Sequence, residues 1–376
     1  MRTPGVRLMM ASVSLLVLSL ILSACSTDQT VETTEPPAAT ETTATTEPAA
    51  TETTEPAETE TTEPAVTERI TLIAAASGTP GLGSLAHLLL WEELRKVGID
   101  VEEVYVGSNE AAVQALVRGD ADFGFQISPA ATASAVVEGV PLRIATGWVG
   151  SEFVLGGTTD IQSVEDLAGK RIGIHNEVGL SATLTIALIE EFGIEDVSLL
   201  VVPNSPARVE AIAQGQLDAA TIDLENGIAL ENLNPDEFHI ILEFTELVGP
   251  IENGGFTATT DFYEANPEVV QTIVRTWVET VRRMHDDPDW AAEQSIRYFG
   301  INYADNVDDL RNLTRVYIER GLWDPNGGIT EESARDTIQF HIDFGGIPAE
   351  SLDMRDMIYD TSFLDRVLEE LGTYEE

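Results

Sequence analysis

The chain of 376 residues holds a single cysteine, Cys25. That excludes an internal disulfide and any cysteine-rich metal or redox site. Basic residues are also scarce: 20 Lys and Arg stand against 65 Asp and Glu, a formal net charge of -45. Nucleic acid and anionic lipid surfaces are poor partners for such a chain. The five histidines, His87, His175, His239, His285 and His341, lie scattered without metal-ligand spacing, and neither His-Glu-x-x-His nor Gly-x-Ser-x-Gly occurs. No catalytic residue, no metal and no cofactor is therefore assigned, and the chain is not read as an enzyme. Long apolar runs are confined to residues 8–22, which fall short of a spanning helix and lead straight into polar sequence.

What is present begins with a targeting signal over residues 1–24. Arg2 and Arg7 supply a positive start, the apolar run follows, and small residues close it, as in a secretory signal peptide. Leu22-Ser23-Ala24-Cys25 resembles the bacterial lipobox, which implies that Cys25 carries lipid and becomes the first residue of the mature chain. Each buried methylene contributes roughly 0.8 kcal/mol, so two or three acyl chains hold where one does not. The expected location is the outer face of the cell membrane, anchored without a transmembrane helix. Residues 26–68 are a Thr-Glu-Pro-Ala repeat with no Lys, Arg or aromatic, which cannot bury enough to offset its ordering entropy. Residues 25–68 thus read as the lipidated cysteine and a disordered linker, spanning roughly 35 Å or more for ~40 residues.

From residue 69 onward the chain repeats itself. Residues 70–75 read as a strand, 85–97 as a helix closed by Gly98, and 99–106 as a second strand. Residues 171–174, 181–192 closed by Gly193, and 199–202 repeat that order. Gly193 follows Gly98 by 95 residues, and Gly215 follows Gly119 by 96, within Gly119-Asp120-Ala121-Asp122 and Gly215-Gln216-Leu217-Asp218. The glycines suit left-handed helix caps. Strand-helix-strand-helix-strand runs demand parallel pairing and right-handed crossovers, hence two similar open α/β lobes. Ligands of such sheets lie beyond the carboxyl ends of the strands, so two lobes face to face make a cleft. Helix starts in its loops offer free N–H groups to a polar or anionic ligand group.

Gly107-Ser108-Asn109-Glu110 through Leu116, Pro141-Leu142-Arg143, and Asp166-Leu167-Ala168-Gly169-Lys170-Arg171-Ile172-Gly173-Ile174 resemble the two lobes of the periplasmic solute receptors related to sulfonate, taurine, nitrate and thiamine-precursor binders. The resemblance runs from about residue 69 to the C-terminus. It implies an α/β fold of the type II periplasmic-binding-protein class: two open lobes joined by a two-strand hinge, with a helical C-terminal extension on the first lobe. Residues 69–150 would start lobe 1, 151–250 form lobe 2, and 251–376 return to lobe 1. It further implies capture of a small solute for delivery to an ABC permease and ATPase, by a protein expected to be monomeric. A receptor of the tripartite, ion-driven importers is the alternative. Pyrimidine-synthesising enzymes of this fold carry a cysteine-rich motif, which this chain lacks.

The cleft loops nominate Ser77, Gly78, Thr79, Ser108, Gln126 and Ser128 in the first lobe, and His175, Asn176, Ser181, Asp223 and Glu225 in the second. Trp148 and Glu252 join them from the hinge, Trp148 either covering a ligand or packing between lobes. Arg208 is the main candidate to pair an anion, although an outward ion pair is the preferred reading. Inward-facing carboxylates favour an amine or pyrimidine-like ligand over a sulfonate, and the ligand class stays open. In the C-terminal third, Val270, Ile273, Trp277, Val281 and Met284 recur at helical spacing and read as core with Tyr298 and Phe299.

Overall fold

A computed structural model describes residues 69–150, 152–303 and 307–375. The signal segment, Cys25 and the linker lie outside the described residues.

Two five-stranded sheets organise the described chain. The first lobe runs β1 (Ile70–Ala76), α1 (Leu85–Lys96), β2 (Ile99–Tyr105), α2 (Asn109–Arg118), β3 (Phe123–Ile127), α3 (Pro129–Val137) and β4 (Leu142–Val149). The second runs β5 (Phe153–Thr158), β6 (Arg171–Ile174), α4 (Leu180–Glu191), β7 (Ser198–Val201), α5 (Ser205–Ala213), β8 (Ala219–Asp223), α6 (Leu224–Leu233) and β9 (Phe238–Glu243). The chain returns through β10 (Glu252–Thr259) to the first sheet. The strand orders are β2-β1-β3-β10-β4 and β7-β6-β8-β5-β9. In each, the three repeat strands pair in parallel, and one strand entering from the other lobe, β10 or β5, inserts antiparallel beside them. The two lobes are thus built alike and exchange one strand's worth of connection each way.

The repeat glycines do what their spacing implies. Gly98, Gly119, Gly193 and Gly215 all take positive φ, from 63° to 93°, just past helix ends. Only a residue without Cβ adopts that conformation at little cost, so the chain turns from helix to strand there.

At the hinge, β4 and β10 come unusually close. Gly255 lies opposite Gly147, and a Cβ on Gly255 would fall 1.9 Å from the Thr146 carbonyl oxygen. Because the obstacle is backbone, no rotamer change relieves it. Gly255→Ala is expected to part these strands at a cost of about 3 kcal/mol, read as a lowered denaturation midpoint with unchanged m. An unchanged midpoint would show that the strands separate freely.

The remaining helices are α7 (Thr260–Ala265), α8 (Pro267–Asp286), α9 (Pro288–Phe299), α10 (Val307–Glu319), α11 (Glu331–Phe344), α12 (Arg355–Ile358) and α13 (Ser362–Leu371). On α8, Val270, Ile273, Trp277, Val281 and Met284 are all buried against the first lobe, as their spacing implies. The helical region also reaches the second lobe. Phe340 of α11 joins the core built on Leu180 and Leu184 of α4, and Thr183 Oγ1 lies 2.8 Å from Nδ1 of the buried His341. Arg320 pairs with Glu243 of β9 at 2.8 Å. The C-terminal helices therefore brace both lobes, a contact that helical periodicity does not encode.

Candidate ligand-binding site

A cavity of about 500 Å³ opens where the carboxyl ends of the two sheets face each other. From the first lobe it is walled by the 77–84 segment after β1, Asn109, Gln126, Ser128 and Trp148. From the second come Glu152, His175, Asn176, Ser181, Arg208, Asp223 and Glu225. Asn253, from the return strand, and Phe299, from the end of α9, close it.

Each lobe fixes its loops by local hydrogen bonds. Ser77 Oγ donates to the Gln126 carbonyl at 2.6 Å, and Gln126 Nε2 donates to Ser84 Oγ at 2.7 Å, so β1, β3 and the α1 entry are tied together. Asn109 Oδ1 accepts the Ser128 N–H at 2.9 Å, joining the starts of α2 and α3. Trp148 stacks on Phe125, ring centroids 5.6 Å apart and 11° from parallel, and is thereby presented rigidly to the cavity. In the second lobe His175 Nδ1 accepts the Asn204 N–H at 3.3 Å, which leaves Nε2 as the donor of the neutral ring. Burial, helped by the Arg208 charge, pushes His175 down to about 4, so the ring is neutral at physiological pH.

Arg208 is 2% exposed, and no carboxylate among the described residues pairs with it within 4.0 Å. Nη1 donates to the Val202 carbonyl at 2.9 Å and Nη2 to Ser205 Oγ at 2.8 Å, while Nε has no partner among the described residues. Burial pushes the guanidinium down to about 10, still charged at neutral pH. The outward ion pair preferred from sequence is thus corrected: α5 turns Arg208 into the cavity wall, because its stem is covered by Gly173, whose missing Cβ would sit 3.3 Å from Cδ.

Glu152 precedes β5 at the outgoing crossing and is 6% exposed. Its Oε1 accepts from Asn253 Nδ2 at 2.9 Å, so the two crossings touch through these side chains, and Oε2 has no partner among the described residues. Burial, reinforced by nearby Asp223, pushes this carboxyl up to about 8. Asp223 caps α6, taking the Asn226 N–H at 2.9 Å. Glu225 reaches across the cleft, where Oε2 accepts the Leu82 N–H at 2.8 Å. The Gly-rich 78–84 segment, which lacks the Lys of a phosphate loop, therefore already faces a carboxylate of the other lobe.

Of the nominated residues, Ser77, Gly78, Thr79, Gln126, Ser128, Trp148, His175, Asn176, Ser181, Asp223 and Glu225 come together on this wall. Two do not. Ser108 instead caps α2, its Oγ accepting the Ala111 N–H at 3.1 Å, and the next residue, Asn109, takes its place. Glu252 turns away into α11, where Oε1 accepts from Ser333 Oγ at 2.7 Å. Glu152 was not singled out from sequence, Asn109 only as part of a cleft loop, and Phe299 only as core. Glu152 sits beside the hinge residues already suspected, so its position was a usable signal; Phe299 carried none, being one more apolar residue on an amphipathic helix.

The family model described as NMT1/THI5 like matches residues 94–291. The chain belongs to the NMT1/THI5-like family. No curated protein matches it. Among solved structures it is similar to the alkanesulfonate-binding protein SsuA of Xanthomonas axonopodis pv. citri, at 19% identity, 76% coverage of this chain, 97% of that chain and a TM-score of 0.59. The nitrate-binding protein NrtA of Synechocystis matches at 12% identity, covering 81% and 90%, with a TM-score of 0.60. A Candida albicans protein described as having the generic periplasmic binding protein fold matches at 14%, covering 78% and 96%, with a TM-score of 0.58. These likenesses establish the periplasmic-binding-protein fold for this NMT1/THI5-like chain.

Proposed function

We propose that this chain is an extracytoplasmic receptor that captures a small organic solute between its lobes and delivers it to an ABC importer. The observation that carries the reading is the cavity of about 500 Å³ at the carboxyl ends of both sheets, lined by buried polar groups with unmet hydrogen bonds, Arg208 Nε and Glu152 Oε2 among them. Family membership and the named roles of the similar proteins, alkanesulfonate and nitrate binding, support it. Lipid on Cys25 holds the receptor at the outer face of the membrane, and the acidic linker keeps it near the permease, raising its effective concentration there. The receptor acts as a monomer and performs no chemistry on its cargo.

Titration of the purified full-length chain with sulfonates, pyrimidines and amines is expected to find one that binds with unit stoichiometry and is recovered unaltered. Recovery of a converted product would overturn the receptor reading. Cys25→Ala is expected to release the protein from membranes with ligand affinity unchanged, measured by fractionation and calorimetry; lost affinity would mean the cysteine serves the fold instead.

A further inference from the structure

We infer that the cleft selects a small organic cation and that Glu152 is the side chain that reads its charge. The inference rests on the receptor reading and narrows its ligand class.

The walls carry three carboxylates, Glu152, Asp223 and Glu225, against one permanent cation, Arg208, with His175 held neutral. Two of the carboxylates already receive backbone donors: Glu225 takes the Leu82 N–H, and Asp223 takes the Asn226 N–H together with its side-chain amide. Glu152 differs. It is nine-tenths buried, one oxygen accepts from the Asn253 amide, and the other has no partner among the described residues. It also sits where the lobes meet. Its carbonyl is held by the Leu224 N–H of its own lobe at 2.6 Å, while Oε1 lies 4.0 Å from where a Cβ on Gly83 of the first lobe would stand. Oε2 in that position lacks a hydrogen-bond donor and the carboxyl lacks a paired counter-charge, and a ligand ammonium or guanidinium supplies both. An oxyanion would instead add negative charge beside Asp223 and Glu225, with Arg208 as its one permanently charged partner in the wall.

Proton linkage gives the inference a sign. Because burial and Asp223 hold Glu152 up to about 8, the empty cleft keeps it protonated at neutral pH, and a cation must expel that proton on entering. Asp223 at the start of α6 and Asn253 of β10 act directly on Glu152 and Tyr317 of α10 feels its charge, while Glu225 of α6, Arg208 of α5 and His175 after β6 line the same cavity. His175 at about 4 and Arg208 at about 10 titrate outside the window, and burial drives Tyr317 well above its ordinary value. Cation affinity therefore rises about tenfold per pH unit below about 8 and levels off above it.

The test is calorimetric titration of the full-length chain with n-butylammonium, putrescine, agmatine and choline, and with butanesulfonate, butyrate and nitrate, at pH 6, 7 and 8.5. A cationic probe should bind, tighten with pH as stated, and release about one proton at pH 6, seen as a dependence of the heat on buffer ionisation enthalpy. Glu152→Gln, which retains the Asn253 bond and whose folding is checked by its melting curve, should lose both the pH slope and at least tenfold in affinity at pH 8.5. Binding confined to the anionic probes, affinity that falls as pH rises, or a slope that survives Glu152→Gln would overturn the inference and leave the receptor reading standing. Failure of every probe of either sign would overturn both.

Discussion

Trp277→Ala is expected to cost about 3–5 kcal/mol of stability and to loosen the wall of the ligand cavity. Trp277 is 1% exposed on α8, a helix of the C-terminal region. Its ring lies 4.9 Å from that of Phe125 on β3, and Phe125 in turn stacks on Trp148 at 5.6 Å. Trp148 faces the cavity, so three aromatic layers connect a helix outside the repeats to the ligand site. Truncation leaves a void too large for neighbours to fill by rotamer changes, because Val274, Val278 and Val281 on the same helix are themselves fully buried. Chemical denaturation would read the loss as a lower midpoint. Ligand affinity, once a ligand is in hand, should weaken as Phe125 and Trp148 gain freedom. A loss below about 1 kcal/mol would show that the site collapses around the missing ring, contrary to the packing described.

Stability of the empty protein should decline as pH rises from about 6.5 to about 8. Two buried carboxyls hold their protons more tightly folded than unfolded: burial pushes Glu152 up to about 8 and Glu252 up to about 7. A folded-state pKa raised in this way contributes stability that is fully present below the unfolded value and is lost as pH climbs through the folded value. Two buried histidines act oppositely. His175 and His341 are pushed by burial down to about 4, so their contribution is complete above about 6.5 and is lost as pH falls towards 4. Between about 4.5 and 6.5 the two effects offset each other, and above that window only the carboxyls remain. Each costs roughly 1.4 kcal/mol per pH unit until its folded pKa is passed, for a total decline of about 2 kcal/mol. Melting temperatures at pH 6.5, 7 and 8 check the sign. Glu152→Gln should flatten the upper part of the profile and Glu252→Gln the lower part. Stability that stays level over this interval would mean that both carboxyls ionise as freely in the folded chain as in the unfolded one. The same burial that makes Glu152 a liability to the empty protein at high pH is what leaves it unmet at the cleft.

The division of labour between sequence and structure follows the range of the forces involved. Helix-closing glycines, helical apolar spacing and the 95-residue repeat are local or arithmetic signals. They sufficed for two similar parallel α/β lobes, for the loops at the carboxyl ends of β1, β3, β6 and β8, and for the core face of α8. The residues those loops contribute were legible for the same reason: a strand end dictates which two or three positions can face a cleft. What the sequence could not decide was direction. Whether Ser108 or Asn109 faces the cavity depends on which of them spends its side chain on capping α2. Whether Arg208 points out to an ion pair or in to the wall depends on the space beside Gly173, a residue on another strand. Glu152 and Glu252 open the two crossings in almost equivalent positions, yet one meets Asn253 and the cavity while the other meets Ser333 of α11. The sequence by itself determined the lobes, their repeat and the loops between which a solute would lie. Only the tertiary structure decided which charges are buried there without a partner, because burial and unmet hydrogen bonds arise from residues far apart in the chain being packed together.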